Sequence, residues 1–388
     1  MTPAARLSAA IEVLDRILNG QNAEPALIAW GRANRFAGSG DRHAIRDIVF
    51  EALRRKRSAA ALGGGLTGRG LVLGLLRQRG EDPAAFFTGQ AHAPAPVGQD
   101  ETARPPLPLE SLDCPDWLAP RLERALGADF PSTMAALQDR APLWLRVNLC
   151  RTTPEAARAA LGAEGIEVRS DPALPAALEV LTNPRKINAS EAYLQGLVEL
   201  QDRASQEVVL GLGLSAGQSV LDYCAGSGGK TLALANQARA RFFAHDQDPR
   251  RMQDLPDRAR RAGVEVRLLS DPALAAPYDL VLCDAPCSGS GSWRRDPQGK
   301  WALNPERLEE LCRIQAEILD RAARLVQPEG ELLYVTCSLL REENEEQIDA
   351  FLRRAPQWGC LDQKRLALGA PGDGFFRARL RRVAQSTR

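Results

Sequence analysis

Two cysteines stand where chemistry is possible. Cys287 lies in Asp284-Ala-Pro-Cys287-Ser-Gly-Ser-Gly291 and Cys337 in Tyr334-Val-Thr-Cys337-Ser338. Each follows an apolar run, Tyr278–Asp284 in one case and Glu331–Thr336 in the other. A single thiol after a strand is as a rule a small buried hydrophobe. Two of them at the ends of two strands of one sheet, with a carboxylate at Asp284, read differently. Thiols become nucleophiles where their pKa is lowered or a base lies near.

A third segment lies upstream. Val220-Leu-Asp-Tyr-Cys224-Ala225-Gly226-Ser227-Gly228-Gly229-Lys230-Thr231 runs from a strand through a glycine-rich turn into a helix. Glycine lets a ligand approach the backbone, and a helix N-terminus favours electron-rich groups. The segment ends like a phosphate-binding P-loop, but the first glycine of that motif would fall on Cys224. A dinucleotide fingerprint fails as well, because its last glycine would fall on Thr231. What remains is a nucleoside held by its ribose and amino acid moieties. Asp246, ending the next apolar run, is placed to accept from ribose hydroxyls, and Asp271, after the third run, from an adenine amino group.

Such residues need a sheet to gather them. The apolar runs Ser219–Tyr223, Arg241–Asp246, Val264–Leu268, Tyr278–Asp284 and Glu331–Thr336 are separated in places by helical stretches, Lys230–Ala240, Pro249–Ala262 and Pro305–Leu325. This alternation predicts an α/β, doubly wound parallel sheet, whose ligands bind beyond the carboxyl ends of its strands. It is expected within residues 188–388. Residues 117–187 read as helices and a small α+β subdomain, with a strand at Leu143–Asn148 and a helix at Pro154–Leu161. Residues 1–92 are helical by the spacing of Leu7, Ile11, Leu14, Ile17 and Leu18, and again of Ile45, Ile48, Val49 and Leu53. Ser39-Gly40-Asp41 is a start signal for the helix that carries Arg54, Arg55, Lys56 and Arg57. Six prolines within 93–116 mark an extended linker.

Composition bounds the rest. The chain has 388 residues, 44% of them hydrophobic, enough to bury cores in two or three domains and to exclude disorder over most of its length. Its net charge of +1 is silent about partners, but 45 of its 50 basic residues are Arg. High genomic GC content explains that bias blandly. Arg forks that bind phosphate and stack on bases explain it functionally, and the clusters Arg54–Arg57 and Arg377, Arg379, Arg381, Arg382 keep that reading open. None of the eight cysteines forms a C-x-x-C pair, so no metal site is expected. Nor is a membrane partner: the apolar runs are far too short to span a bilayer, and Glu12 and Asp15 interrupt any signal-peptide core. A soluble, cytoplasmic, monomeric protein is the expectation.

Taken together, the motifs resemble the bacterial RNA cytosine-5 methyltransferases of the Sun/Fmu (RsmB) group, within the Nop/Sun lineage. Cys224-Ala-Gly-Ser-Gly-Gly-Lys230 is similar to that family's Cys-Ala-Ala-Pro-Gly-Gly-Lys turn, with Gly226-Ser227 in place of Ala-Pro. Asp284-Ala-Pro-Cys-Ser-Gly-Ser-Gly and Thr336-Cys-Ser match its two cysteine motifs. Asn188–Tyr193 and Leu200–Ser205 resemble the segment before its cofactor loop, Leu145-Arg-Val-Asn148 the start of its RNA-binding subdomain, and Asp373–Leu380 its closing strand. The first 90 or so residues resemble the NusB-like helical domain of the ribosomal RNA branch.

The resemblance implies a Rossmann-like methyltransferase fold and S-adenosylmethionine as cofactor. It implies that residues 224–230, Asp246, Asp271 and Asp284 bind the cofactor. It assigns attack on cytosine C6 to Cys337 and product release to Cys287, with Asp284 hydrogen-bonding the base and Lys230 orienting these groups. The partner would be RNA, ribosomal RNA of the small subunit ahead of transfer RNA. A non-catalytic RNA-binding assembly factor is the rival from another class. Neither cysteine's role follows from spacing alone, since DNA enzymes of related chemistry attack with a Pro-Cys cysteine.

Overall fold

The structure, a computed structural model, describes residues 1–369 and 372–383. Its contacts divide the chain into two units, Met1–Arg140 with Trp293–Leu303, and Ala141–Ser292 with Asn304–Arg388.

The first unit is helical. Its early helices are α1 (Pro3–Leu18), α2 (Ala23–Ala33), α3 (Ser39–Arg54), α4 (Lys56–Gly63) and α5 (Gly68–Gln78). Thr2 caps α1 by accepting from Ala5 N, and Leu7, Ala10, Val13, Leu14 and Ile17 form its buried stripe. Glycine sets how close α4 and α5 come. A Cβ on Gly74 would stand 1.8 Å from the Ala59 carbonyl oxygen, and one on Gly63 would stand 1.7 Å from that of Gly70.

The basic cluster does not lie on one helix end. α3 stops at Arg54 and Arg55 is the break. Arg54 is buried and its Nε donates to the Arg294 carbonyl at 2.8 Å. Arg55 reaches Gln138 at 3.2 Å and Asp139 at 3.3 Å, and Arg57 pairs with Asp116 at 2.7 Å. The Lys56 side chain has neither a carboxylate partner nor a hydrogen bond among the described residues; its ammonium lies 5.2 Å from the Trp301 ring centroid. The proline-rich stretch is likewise fastened. Arg69 binds Glu101, Arg77 donates to the Glu101 carbonyl at 2.8 Å, and Arg104 N donates to Ala61 O at 3.1 Å. Buried Asp113 then caps α4, accepting from Arg57 N and Ser58 N at 2.8 and 3.0 Å. Prolines keep most of this stretch out of helix, Pro108–Ser111 forming a single turn, without denying it anchors, since its carbonyls and the intervening residues still bond.

The segment Trp293–Leu303 belongs to this unit although its neighbours in sequence belong to the other. Trp293 and Lys300 are buried in it, and Trp301 Nε1 donates to Leu53 O at 2.6 Å. Burial lowers the Lys300 pKa to about 8.

The second unit holds two sheets. The smaller comprises β1 (Leu143–Val147), β2 (Val168–Ser170), β3 (Ala177–Val180) and β4 (Val198–Leu200), antiparallel in the order β2-β3-β1-β4. Ala157 and Leu161 of the helix Pro154–Ala163 share its core. The larger comprises β5 (Ser219–Asp222), β6 (Arg241–Ala244), β7 (Val266–Leu268), β8 (Tyr278–Asp284), β9 (Val326–Thr336), β10 (Trp358–Leu366) and β11 (Phe375–Arg382), in the order β10-β11-β9-β8-β5-β6-β7. From β9 to β7 the strands are parallel, as the alternation predicted. β10 and β11 add an antiparallel edge. There the second Arg cluster is consumed: Arg377 pairs with Asp362 at 3.0 Å, Arg379 and Arg381 with Glu331, and Arg382 donates to the Ala323 and Val326 carbonyls. The expected helix Pro249–Ala262 is interrupted. Pro256, with no N–H to give, starts a new helix at Leu255–Ala262 after a short turn at Pro249–Met252. Among the described residues no single helix is long and apolar enough to cross a membrane.

Strand order reverses between β5 and β8, since β6 and β7 extend the sheet one way and β9 the other. That reversal opens a crevice at the carboxyl ends of these strands.

Candidate active site

Asp222 ends β5 and the glycine turn follows it. Gly226 and Gly228 have φ of 51° and 79°, left-handed values that a side chain would strain. The turn is tied to its neighbours by Tyr223 N to Leu282 O and Ala225 N to His245 O, at 2.8 and 2.9 Å. Ser227 is exposed and held by Arg258, while the Gly229 carbonyl accepts from Arg146 and Gln201 at 2.9 and 3.0 Å. Cys224 lies half-buried in the turn, its thiol pKa raised by burial and the surrounding acids.

Asp246 is buried beside the turn: its Oδ2 accepts from Gly226 N at 2.9 Å and pairs with Arg251 at 3.1 Å, while Oδ1 accepts from Asp248 N at 3.0 Å. Asp271 stands apart from this group. It is exposed and caps its own short turn, accepting from Ala273 N at 2.9 Å. Asp222 has one oxygen on Thr231 Oγ1 at 2.7 Å and the other, Oδ1, buried without a protein hydrogen bond.

The two cysteines come together. β8 and β9 are parallel neighbours, so the turns that leave their carboxyl ends lie side by side, and Cys287 Sγ and Cys337 Sγ are 3.4 Å apart. Gly291 N donates to the Cys337 carbonyl at 2.9 Å, and Ser292 Oγ reaches the Cys337 sulfur at 3.9 Å. Lys230 is buried and its ammonium is 2.6 Å from Asp284 Oδ2 and 5.0 Å from the Phe375 ring centroid. Burial opposes the Lys230 charge, but the Asp284 carboxylate outweighs it and raises the pKa. The Cys337 thiol is held below its ordinary value, chiefly by the hydrogen bond from Cys287 and further by the Lys230 charge, against burial and Asp284. Cys287 is pushed up by the same bond, by burial and by the Glu343 carboxylate. At 3.4 Å either sulfur can donate to the other.

Glu343 was missing from the sequence reading. It is fully buried, and its carboxylate accepts from Ser288 N at 2.8 Å, Gln315 Nε2 at 3.0 Å, and the hydroxyls of Ser288 and Ser338 at 2.5 Å each. Neighbouring Asn344 is equally buried, bonded to Thr336 Oγ1 and to the Ser338 carbonyl. Nothing in Arg341-Glu-Glu-Asn-Glu345 distinguishes these residues from a solvated helix start. Among the described residues no group of three or more His, Cys, Asp or Glu is placed to hold a metal ion.

The chain is similar to known proteins over most of its length. Residues 209–380 match the model of the 16S rRNA methyltransferase RsmB/F family, and residues 114–205 that of the RsmF/B-like ferredoxin-like domain. The chain is 36% identical over 282 residues to the ribosomal RNA small subunit methyltransferases B of Salmonella arizonae and Salmonella newport, and 36% identical to that of Salmonella typhi. Each alignment covers 69% of this chain and 66% of the relative, so the match spans just under two thirds of the relatives' length. Among solved structures, that of PH0851 covers 98% of this chain and 99% of its own at 25% identity and a TM-score of 0.79. NSun6 from Pyrococcus horikoshii with SFG covers 70% of this chain and 99% of its own, with a TM-score of 0.62 and 18% identity, which speaks for the fold.

Proposed function

This chain belongs to the RsmB/F family of 16S rRNA methyltransferases, and on that premise we propose that it methylates C5 of a cytosine in small-subunit ribosomal RNA through a covalent bond between Cys337 and C6. Its cofactor is S-adenosylmethionine. The residues at the β5 end fit that group: the turn at Gly226 and Gly228 leaves the backbone bare, and Asp222 Oδ1 is a buried acceptor lacking a donor. Asp246 would take the ribose hydroxyls through Oδ1, with residues 224–230 against the rest of the molecule. Asp271 would have to turn from its own cap to reach the adenine. Bound there, the cofactor supplies an electrophilic sulfonium methyl group.

The observation that carries the reading is the thiol pair, 3.4 Å apart beside the Lys230–Asp284 ion pair. C5 of cytosine is too weak a nucleophile to take a methyl group unaided. A thiolate added at C6 makes it enamine-like. Cys337 is the thiol whose surroundings favour the thiolate. Asp284, oriented by Lys230, would bind the cytosine edge near N3 and its exocyclic amine, where charge develops. Cys287 assists afterwards, when the C5 proton leaves and the Cys337–C6 bond breaks.

Two substitutions of the same chemical size test this. Cys337→Ala is expected to lose turnover and adduct together. Cys287→Ala is expected to accumulate a protein–RNA complex that survives a denaturing gel, and the double variant to show none. The opposite pattern would reverse the roles, and retained activity in both would end the covalent mechanism. Bisulfite sequencing of ribosomal and transfer RNA from a deletion strain identifies the substrate.

A further inference from the structure

Cys287 and Cys337 are chemically identical and in contact, so something must decide which is the nucleophile. We propose that Glu343 is the positioning residue that clamps the two cysteine turns in register and keeps Cys287, and not Cys337, the protonated partner. The inference rests on the covalent reading above and adds to it a residue that touches neither substrate nor cofactor there.

The clamp is visible in its donors. Ser288 follows Cys287 and Ser338 follows Cys337, and both hydroxyls donate to Oε2 of the one carboxylate. Ser288 N donates to Oε1, so the backbone of the Cys287 turn is held as well as its side chain. Gln315 Nε2 bridges Glu343 and the Pro286 carbonyl, at 3.0 and 2.9 Å, and ties the carboxylate to the other side of Cys287. Tyr334, on β9 below Cys337, donates its hydroxyl to the Glu343 carbonyl at 2.8 Å. Glu343 therefore spans the 50 residues between the two motifs, and moving it would move both sulfurs.

Its charge also lies on one side. No cation is within ion-pair distance of Glu343 among the described residues, so the carboxylate is stabilised by neutral donors and its field persists. Cys287 faces that field and Cys337, while Cys337 faces Cys287, Asp284 and Lys230. Cys312 and Tyr334 also border Glu343, and burial raises the pKa of each, so both remain neutral. An uncompensated carboxylate beside Cys287, against the Lys230–Asp284 ion pair beside Cys337 whose two charges oppose each other, biases a single proton towards Cys287.

Site-resolved alkylation of the full-length protein by iodoacetamide, read by peptide mass spectrometry, measures that sorting without RNA. In the parent, Cys337 is expected to react faster than Cys287 near neutral pH. Glu343→Gln removes the charge and should shrink the preference roughly tenfold, the effect of one pKa unit. Glu343→Asp keeps the charge but is too short to hold both serines. It should keep the preference and lower kcat with little change in KM for RNA. An unchanged preference in a folded Glu343→Gln protein overturns the proposal, as does a parent in which Cys287 reacts faster. If the Gln variant does not fold, the Asp variant carries the test, and parental turnover there overturns the clamp. A thiol preference that depends on Glu343, found alongside no methylation of RNA cytosine, would sink the substrate reading and leave this inference standing.

Discussion

Asp222 is held at the end of β5 with one oxygen on Thr231 and the other buried alone. Burial pushes its carboxyl up to about 7, Thr231 opposing only in part. The folded state therefore binds a proton that the unfolded chain has released above pH 4 or so. Stability from this group is complete below that pH and is lost as pH rises towards 7, by at most about 4 kcal/mol. Without cofactor, the unfolding transition that cofactor shifts should weaken over this range, and Asp222→Asn should flatten the slope. A slope unaltered by Asp222→Asn would show that the ionised carboxylate is already solvated. At this scale the sequence was most legible where short motifs stand at strand ends. Cys287 with Asp284, and Cys337 after Thr336, needed only parallel strand ends to bring them together. Glu343 was illegible because its meaning lies in donors from three separate segments. Asp271 followed the expected strand order, yet its carboxylate is spent on Ala273 N.

The crossing of α4 and α5 shows what an element demands of a residue. At Gly74 any Cβ must displace the Ala59 backbone, which cannot rotate away as a side chain would. Gly74→Ala should destabilise the helical unit by about 1–3 kcal/mol, the cost of forcing a packed contact apart. Thermal unfolding should show it, with cofactor affinity unchanged. Equal stability would mean that the helices separate freely. The strands of the large sheet were legible from apolar runs and the acids that end them, because burial on both faces leaves that record. Helix ends were less so. The break at Arg55 has no proline or glycine to announce it, and the cap on α4 comes from Asp113, more than fifty residues away. Of the antiparallel edge only the closing strand at Asp373–Leu380 was legible, through the family resemblance; Trp358–Leu366 was not. The arginines of the edge, read as a cluster for RNA, face Asp362 and Glu331 across strands.

For the molecule as a whole, the basic residues sort into those already committed and those available. Arg54, Arg55 and Arg57 serve the fold, which leaves Lys56 as the cation of that cluster to meet a phosphate. Lys56→Glu should weaken RNA binding and reduce the dependence of log affinity on log salt by about 0.9 for a contact with duplex RNA behaving as DNA does. An unchanged slope would make Lys56 a packing partner of Trp301. Deleting residues 1–92 would be a poorer test, because it strips Trp301 and Lys300 of the Leu53 and Arg54 carbonyls they bond.

The path of Trp293–Leu303 has one more consequence. The chain enters the helical unit at Trp293, directly after the turn that carries Cys287, and leaves it at Leu303. A protease cut engineered between Arg140 and Ala141 would thus produce two peptides and still one particle. The larger fragment would remain hooked into the smaller by a buried loop of its own, anchored by Trp293 and Lys300. The nicked protein should elute as a single species and come apart only in denaturant. Anyone hoping to express the halves separately and mix them should find that they must fold in each other's presence.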